Sequence, residues 1–278
     1  MARITSLNML LESEGKDYLA ELYGKVIQNV QKTLVSSGMK NTDLSGDPVS
    51  GSVEAKRFAN ATSKDYGTAR AAGKGDAVKA SPVTIAIDQD KEIVEELEEK
   101  DIKLYGVDGV LDRRANNHVL RMAAELDTAF FKAAADAATA VVLKGTAVEE
   151  RLEEAIQALE NTRNAFVDGV PRSMMNLVCS TAVYGSIRNA LDKMARSNID
   201  TAAEEFYTWH GVRTASCVNL PAGCDFLVMA DGAVAQPVTA SEYRAEKIPL
   251  SNAYGVELFY HYGTKAVTSD LIIKPKAE

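Results

Sequence analysis

The chain has 278 residues, a formal net charge of −8, and is 46% hydrophobic, 25% charged and only 6% aromatic, fractions of an ordinary globular protein that exclude disorder as the overall state. No apolar run approaches the roughly 18 residues of a membrane span, and Glu12, Glu14, Lys16 and Asp17 interrupt the start too early for a signal peptide. Three cysteines, Cys179, Cys217 and Cys224, are too few and odd in number for a secreted disulfide scaffold. The expectation is a soluble protein made in a reducing cytoplasm, without a membrane partner. Net acidity argues against a sequence-specific reader of nucleic acid. It is compatible with a protein that encloses nucleic acid, where a mildly repulsive wall avoids sticking.

Residues 7–35 place Leu7, Leu11, Tyr18, Leu22, Val26, Val30 and Leu34 at helical spacing, with Leu19, Tyr23 and Ile27 widening the stripe. This predicts an amphipathic helix, or two joined near Gly15, ending at Ser36-Ser37-Gly38. The following MKNTDLSGDPVSG is turn-rich and reads as a linker. Residues 52–58 and 83–87 read as strands flanking a glycine-containing middle, ATSKDYGTARAAGKGDAVKAS, which lacks an apolar face. A loop of that length without a core is functional or disordered. It is locally basic, with Lys56, Arg57, Lys64, Arg70, Lys74 and Lys79 against Glu54, Asp65 and Asp76. The next segment, DQDKEIVEELEEKD over 88–101, is strongly acidic, so a basic arm of one copy has a docking surface on another.

From 110 to about 142 runs the longest helical signal, with Val119, Met122, Ala123, Leu126, Phe130, Ala133 and Ala137 on one face and Lys144-Gly145 as its stop. A second helix is expected over 148–167, with Val148, Leu152, Ala155, Ile156, Leu159 and Phe166 inward. MNLVC (175–179) reads as a short buried strand, after which Ser180 caps a helix whose Val183, Tyr184, Ile187, Leu191 and Met194 face inward. The final third is mostly strand: FYTWHGVRTASCV, DFLVMAD, GVELFYHYG and TSDLIIK. The fold class is α+β.

Chemistry is mostly absent from this text. His118, His210 and His261 lie far apart, and Cys217 and Cys224 read as core-lining thiols, so no metal site is expected. AAGKGDA lacks the Lys-Ser/Thr at a helix start that a phosphate loop requires, so no cofactor is expected. No Gly-x-Ser-x-Gly elbow occurs, and the carboxylates of 88–101 read as a solvated or docking face rather than a tuned acid/base pair. Trp209-His210-Gly211 reads as a hairpin turn or packed corner. No catalytic residue is assigned.

The order of segments is distinctive: N-terminal arm, basic hairpin-like loop, acidic stretch, long Ala-rich helix, α/β unit, returning strands. This order resembles the major capsid protein of tailed bacteriophages, a fold shared with encapsulins and herpesvirus capsid floors. VTIAIDQDKEIVEELEEKDIKLYGVDGVLDRRANNHVLRMAAELDTAFFKAA (83–134) resembles that family's strand, acidic linker and spine helix, including Ala-Glu-Leu-Asp at 124–127. HGVRTASCVNLPAGCDFLVMADGAVAQPV (210–238) and YGVELFYHYGTKAVTSDLIIK (254–274) resemble its later strands. The resemblance covers roughly 50–275.

It implies an N-terminal arm over 1–50, an extended E-loop over 51–87, a P-domain with spine helix over 88–145, an A-domain over 146–236 and return strands to the P-domain over 237–278. It further implies a structural major capsid (head) protein, not an enzyme, self-assembling as hexamers and pentamers into an icosahedral shell that encloses double-stranded DNA without reading its sequence. The implied setting is the virion capsid, assembled in the host bacterial cytoplasm. No scaffolding domain of about 100 residues is expected before the arm, so assembly is expected to need a separate scaffolding protein or none, with portal and head-completion proteins as further partners. Inter-subunit docking is assigned to Lys56, Arg57, Arg70 and Lys74 on the loop, and to Glu95 and Glu96 opposite them. Some members crosslink a loop lysine to a neighbour's asparagine; Lys74 and Asn252 are candidates here, although no motif aligns them. Two alternatives stay open: an encapsulin-like nanocompartment, and an α/β enzyme with a mobile lid at 52–82.

Overall fold

The computed structural model describes residues 6–73, 75–103, 105–192, 207–240 and 243–276, the side chains of 69, 70, 192 and 240 excepted. Lys74, Met194, Phe206 and the side chain of Arg70 therefore lie outside the described residues. The chain divides into two units: residues 1–37, 87–129 and 237–263 form one, and 38–86, 130–236 and 264–278 the other.

The first unit is built on the strand Tyr254–Tyr262. It pairs antiparallel with Gln89–Leu97 along its whole length, from Tyr254↔Leu97 to Tyr262↔Gln89. On its other side lie Val238–Ala240 and Arg244–Lys247. Leu258, Tyr260 and Tyr262 share a core with Leu111, Ala115, Val119, Met122 and Leu126 of the long helix and with Tyr18, Leu22, Val26 and Val30 of the helix Ser13–Thr33. Spacings of three and four put each helical set on one stripe. Burying each large apolar side chain contributes about 1.5–3 kcal/mol. A short 3-10 turn, Leu7–Leu11, folds against the helix start, where a Cβ on Gly15 would stand 2.0 Å from the Met9 carbonyl oxygen. The joint expected near Gly15 is thus a close approach of backbones that excludes any side chain.

The second unit holds a six-stranded mixed sheet in the order Thr139–Val141, Ile272–Pro275, Phe226–Ala230, Met175–Cys179, Val212–Ser216, Thr208–Trp209. Met175–Cys179 and Phe226–Ala230 are buried at every position, which explains their continuous apolar text. Val148–Glu160 and Thr181–Asp192 pack Leu152, Ile156, Leu159 and Ile187 into the sheet's core. Ser180 caps the second of these as expected, its Oγ accepting from the Val183 N–H at 3.4 Å. The same unit carries an antiparallel hairpin, Ser52–Phe58 with Ala80–Ala86, registered from Ser52↔Ala86 to Phe58↔Ala80.

Several expectations are corrected. The acidic 88–101 is no linker: its Gln89–Leu97 is a paired strand, whose alternation the charges disguised. The long helix spans Gly106–Ala137; it stops before Thr139-Ala140-Val141 because that segment pairs with the C-terminal strand. Its buried face runs through Leu111, Ala115 and Ala134, while Ala133 and Ala137 are only half-buried and Leu11, upstream, is exposed. The helix expected to 167 ends at Glu160, because Asn164 Oδ1 accepts from the N–H groups of Phe166 and Val167 and turns the chain. Residues 7–33 are the packed helical segment that the spacing predicts, a 3-10 turn over Leu7–Leu11 followed by the helix Ser13–Thr33. The tail divides as well: residues 237–263 belong to the first unit, but Ile272–Pro275 joins the six-stranded sheet of the second.

Candidate interaction surfaces

The hairpin is fixed at its base and open beyond it. Val53, Ala55 and Ile85 pack with Ala235 and Val267. The Arg57 guanidinium lies 4.4 Å over the Phe166 ring and donates to both Asp270 carboxylate oxygens, at 2.6 and 2.7 Å. Asn164 Nδ2 donates to the same carboxylate at 2.5 Å. Burial raises the Asp270 pKa, but the Arg57 and Asn164 bonds outweigh it and hold the group below the usual carboxylate range. The Asn60 N–H donates to the Ala165 carbonyl at 2.9 Å. Beyond Phe58 the connection is exposed at nearly every described position, including Tyr66 at 92% and Val78 at 83%. Lys64 pairs with Asp76 at 2.7 Å.

Arg57, assigned to docking from sequence, pairs with Asp270 of its own unit. Lys56, the neighbouring position on the opposite face of the strand, is exposed and stays available. Ala71, the first residue of the AAGKGDA stretch, closes the four-residue helix Thr68–Ala71.

In the first unit, the solvent side of the sheet collects Asp90, Glu92, Val94 and Glu96 from one strand beside Glu257, Phe259 and His261 from its partner. Val94 is half exposed among these carboxylates. Asp90 accepts from His261 Nδ1 at 2.7 Å. Glu95, also assigned to docking, points the other way. It binds Arg114 through both oxygens, and the Arg114 bond lowers its pKa despite burial. Glu96 remains exposed. The period of two in Asp90, Glu92, Val94, Glu96 was the available sequence signal for this surface.

The histidines do not converge. Buried His118 has Nδ1 2.5 Å from the Tyr243 hydroxyl and Nε2 3.1 Å from Glu95, the latter not aligned as a hydrogen bond. Burial pushes its pKa down. The group lines a cavity of about 10 Å³, room for one water at most. His210 sits at φ +49° and Gly211 at +84°, closing a two-residue hairpin between Trp209 and Val212. Its Nδ1 lies 2.5 Å from Glu153, which also receives Arg172 at 2.7 Å. Cys179 and Cys217 are buried, and burial pushes the Cys179 thiol up to about 12. Among the described residues no three His, Cys, Asp or Glu side chains gather as metal ligands, and no helix is long and apolar enough to cross a membrane. Asn252 is exposed.

No protein-family model matches the chain, and no curated protein sequence matches it. Solved structures do. Mycobacterium phage Che8 matches at TM-score 0.59 and 18% identity, over 99% of this chain and 92% of that one. The capsid of cyanophage P-SCSP1u matches at 0.61 and 12%, over 88% of both. A virus-like particle from Pyrococcus furiosus matches at 0.57 and 11%, over 95% of this chain and 100% of that one. Both units are included in an alignment of that extent, so the whole described architecture is that of phage major capsid folds.

Proposed function

We propose that the protein is a structural shell subunit, the major capsid protein of a tailed bacteriophage, with no catalytic role. The observation that carries this reading is the hairpin: apolar Phe58 and Val78 are exposed, at 54% and 83%, on an extension clamped at its base, an arrangement that gains its buried surface on another subunit. The fold similarity over nearly all of the chain supports it. In this reading the 51–87 hairpin is the extended loop, the unit holding 87–129 is the peripheral domain and the six-stranded unit is the axial domain. Subunits assemble as hexamers and pentamers around double-stranded DNA, aided by separate scaffolding, portal and head-completion proteins, in the cytoplasm of the host bacterium. The hairpin of one copy, through Lys56, Arg70, Lys74 and Lys79, docks on the acidic sheet face of the next, at Glu92 and Glu96. Charge there sets orientation, while Phe58, Tyr66 and Val78 meeting Val94 and Phe259 supply most of the affinity. Many weak, identical contacts stabilise a closed shell.

Negative-stain microscopy of the purified chain tests this: rings or closed shells are expected, and monodisperse monomers at high concentration would overturn it. A protein-filled nanocompartment is the second reading, favoured by full coverage of the Pyrococcus virus-like-particle chain. Packaged DNA against packaged protein separates the two.

A further inference from the structure

The solvent side of the long helix is chemically unlike the rest of this acidic chain. Between residues 113 and 124 every charged side chain is an arginine: Arg113, Arg114 and Arg121. Arg114 turns inward to Glu95. Arg113 and Arg121 are exposed, as are Asn116, Asn117 and Leu120 between them. Neither Arg113 nor Arg121 has a carboxylate partner within ion-pair distance among the described residues, in a chain with 39 acidic side chains against 31 basic ones. Two of the nearby acids of the helix, Glu125 and Asp127, are engaged. A third, Asp112, is exposed. Glu125 accepts from Tyr260 at 2.7 Å, Lys91 at 3.0 Å and Tyr262 at 3.2 Å, and Asp127 is buried. The Arg113 guanidinium rests 4.1 Å above the Tyr105 ring, which holds the cation at the surface without neutralising it.

Arg113, Asn117 and Arg121 are spaced by four, so they lie on one stripe, with the arginines about 12 Å apart along the axis. The stripe offers guanidinium and amide groups, and the carboxylate one turn further along it, Glu125, is already bonded to Tyr260, Tyr262 and Lys91. That is the chemistry of a surface for a phosphate backbone, recognised by charge and not by base identity. We infer that this face of the long helix contacts the phosphates of enclosed double-stranded nucleic acid, a local attractive stripe on an otherwise repulsive wall. The inference rests on the shell reading, and makes the long helix line the shell's interior.

The test uses the full-length chain, a random-sequence DNA duplex as probe, and fluorescence anisotropy across a sodium chloride series. Each phosphate contact contributes about 0.9 to the slope of log affinity against log salt. Arg113→Gln with Arg121→Gln should therefore reduce the slope by about 1.8, while Lys56→Gln with Lys79→Gln on the hairpin should leave it unchanged. No measurable duplex binding by the wild type at low salt, an unchanged slope in the arginine variant, or loss of slope in the hairpin variant would each overturn the inference. Microscopy of the same samples keeps the two readings apart. Shells formed normally by the arginine variant, but with reduced DNA retention, support the stripe. Failure of that variant to form shells assigns the stripe to a subunit interface and overturns it. A wild type that binds DNA through the stripe yet forms no shells would sink the shell reading alone.

Discussion

The carboxylate of Asp127, deep on the long helix, holds Ser36 from 91 positions earlier in the chain: Oδ1 accepts both the Ser36 N–H, at 3.1 Å, and its hydroxyl, at 2.6 Å. The second oxygen accepts from the Val35 N–H at 3.0 Å. Asp127 is 3% exposed and Ser36 fully buried. The aspartate thus supplies, from inside a helix, the acceptors that the chain leaving the N-terminal helix would otherwise lack.

Asp127→Ala leaves two backbone N–H groups and a hydroxyl without acceptors, and should cost about 2–4 kcal/mol. Ser36→Ala removes one of the three bonds and should cost about 1 kcal/mol. Urea unfolding of both variants measures the difference, and equal costs would show that the backbone bonds carry little.

Two glycines of the helix Ser13–Thr33 should respond in opposite directions to alanine. A Cβ added at Gly24 would meet nothing within 4 Å, so Gly24→Ala should stabilise by about 0.5–1 kcal/mol. Gly15→Ala drives a methyl into the Met9 carbonyl and should destabilise by about 1–3 kcal/mol, as over-packing does. Thermal unfolding of the pair decides it; a stabilised Gly15→Ala would mean that the Leu7–Leu11 turn does not close on the helix.

Glu153 gives a pH dependence. The Arg172 bond, helped by His210 and Gln157 against the opposing effect of burial, lowers its pKa to about 2. A depressed carboxylate stabilises the fold fully above its unfolded value near 4.5, and loses that contribution as pH falls toward 2. Glu153→Gln should lower stability at pH 7 by about 2 kcal/mol and flatten the acid limb between about pH 5 and pH 2. An acid limb identical to wild type would place the lost charge elsewhere.

Assembly should be sensitive to charge at the hairpin and the sheet face. Lys56→Glu with Lys79→Glu should slow assembly most at low salt without altering subunit unfolding, because exposed pairs are each worth only about 0–1 kcal/mol and are screened over about 8 Å at physiological ionic strength. Reversal at Glu92 and Glu96 to lysine should partly restore the rate. Light scattering across a salt series reads both. A wild-type rate for the double reversal at every salt concentration would leave docking to apolar and backbone contacts alone.

Local text alone determined the elements whose physics is local. Met175–Cys179 is a strand because a short, largely apolar run fits a sheet covered on both faces. Ser52–Phe58 alternates, and Ser180 precedes its helix with a hydroxyl to offer. The order of segments carried the fold class and the family likeness. Tertiary structure decided the rest, because it depended on partners far away in the chain. Gln89–Leu97 is a strand only because Tyr254–Tyr262 lies beside it; the surrounding residues 88–101 are mostly acidic, and by charge alone they read as a solvated linker. The long helix ends at Ala137 because Ile273 pairs with Thr139, a contact that helix propensity cannot register. The docking charges divided in the same way. Arg57 and Glu95 look no different from Lys56 and Glu96 in the sequence, yet Asp270 and Arg114 claim the first two, and only the three-dimensional arrangement leaves the others facing water.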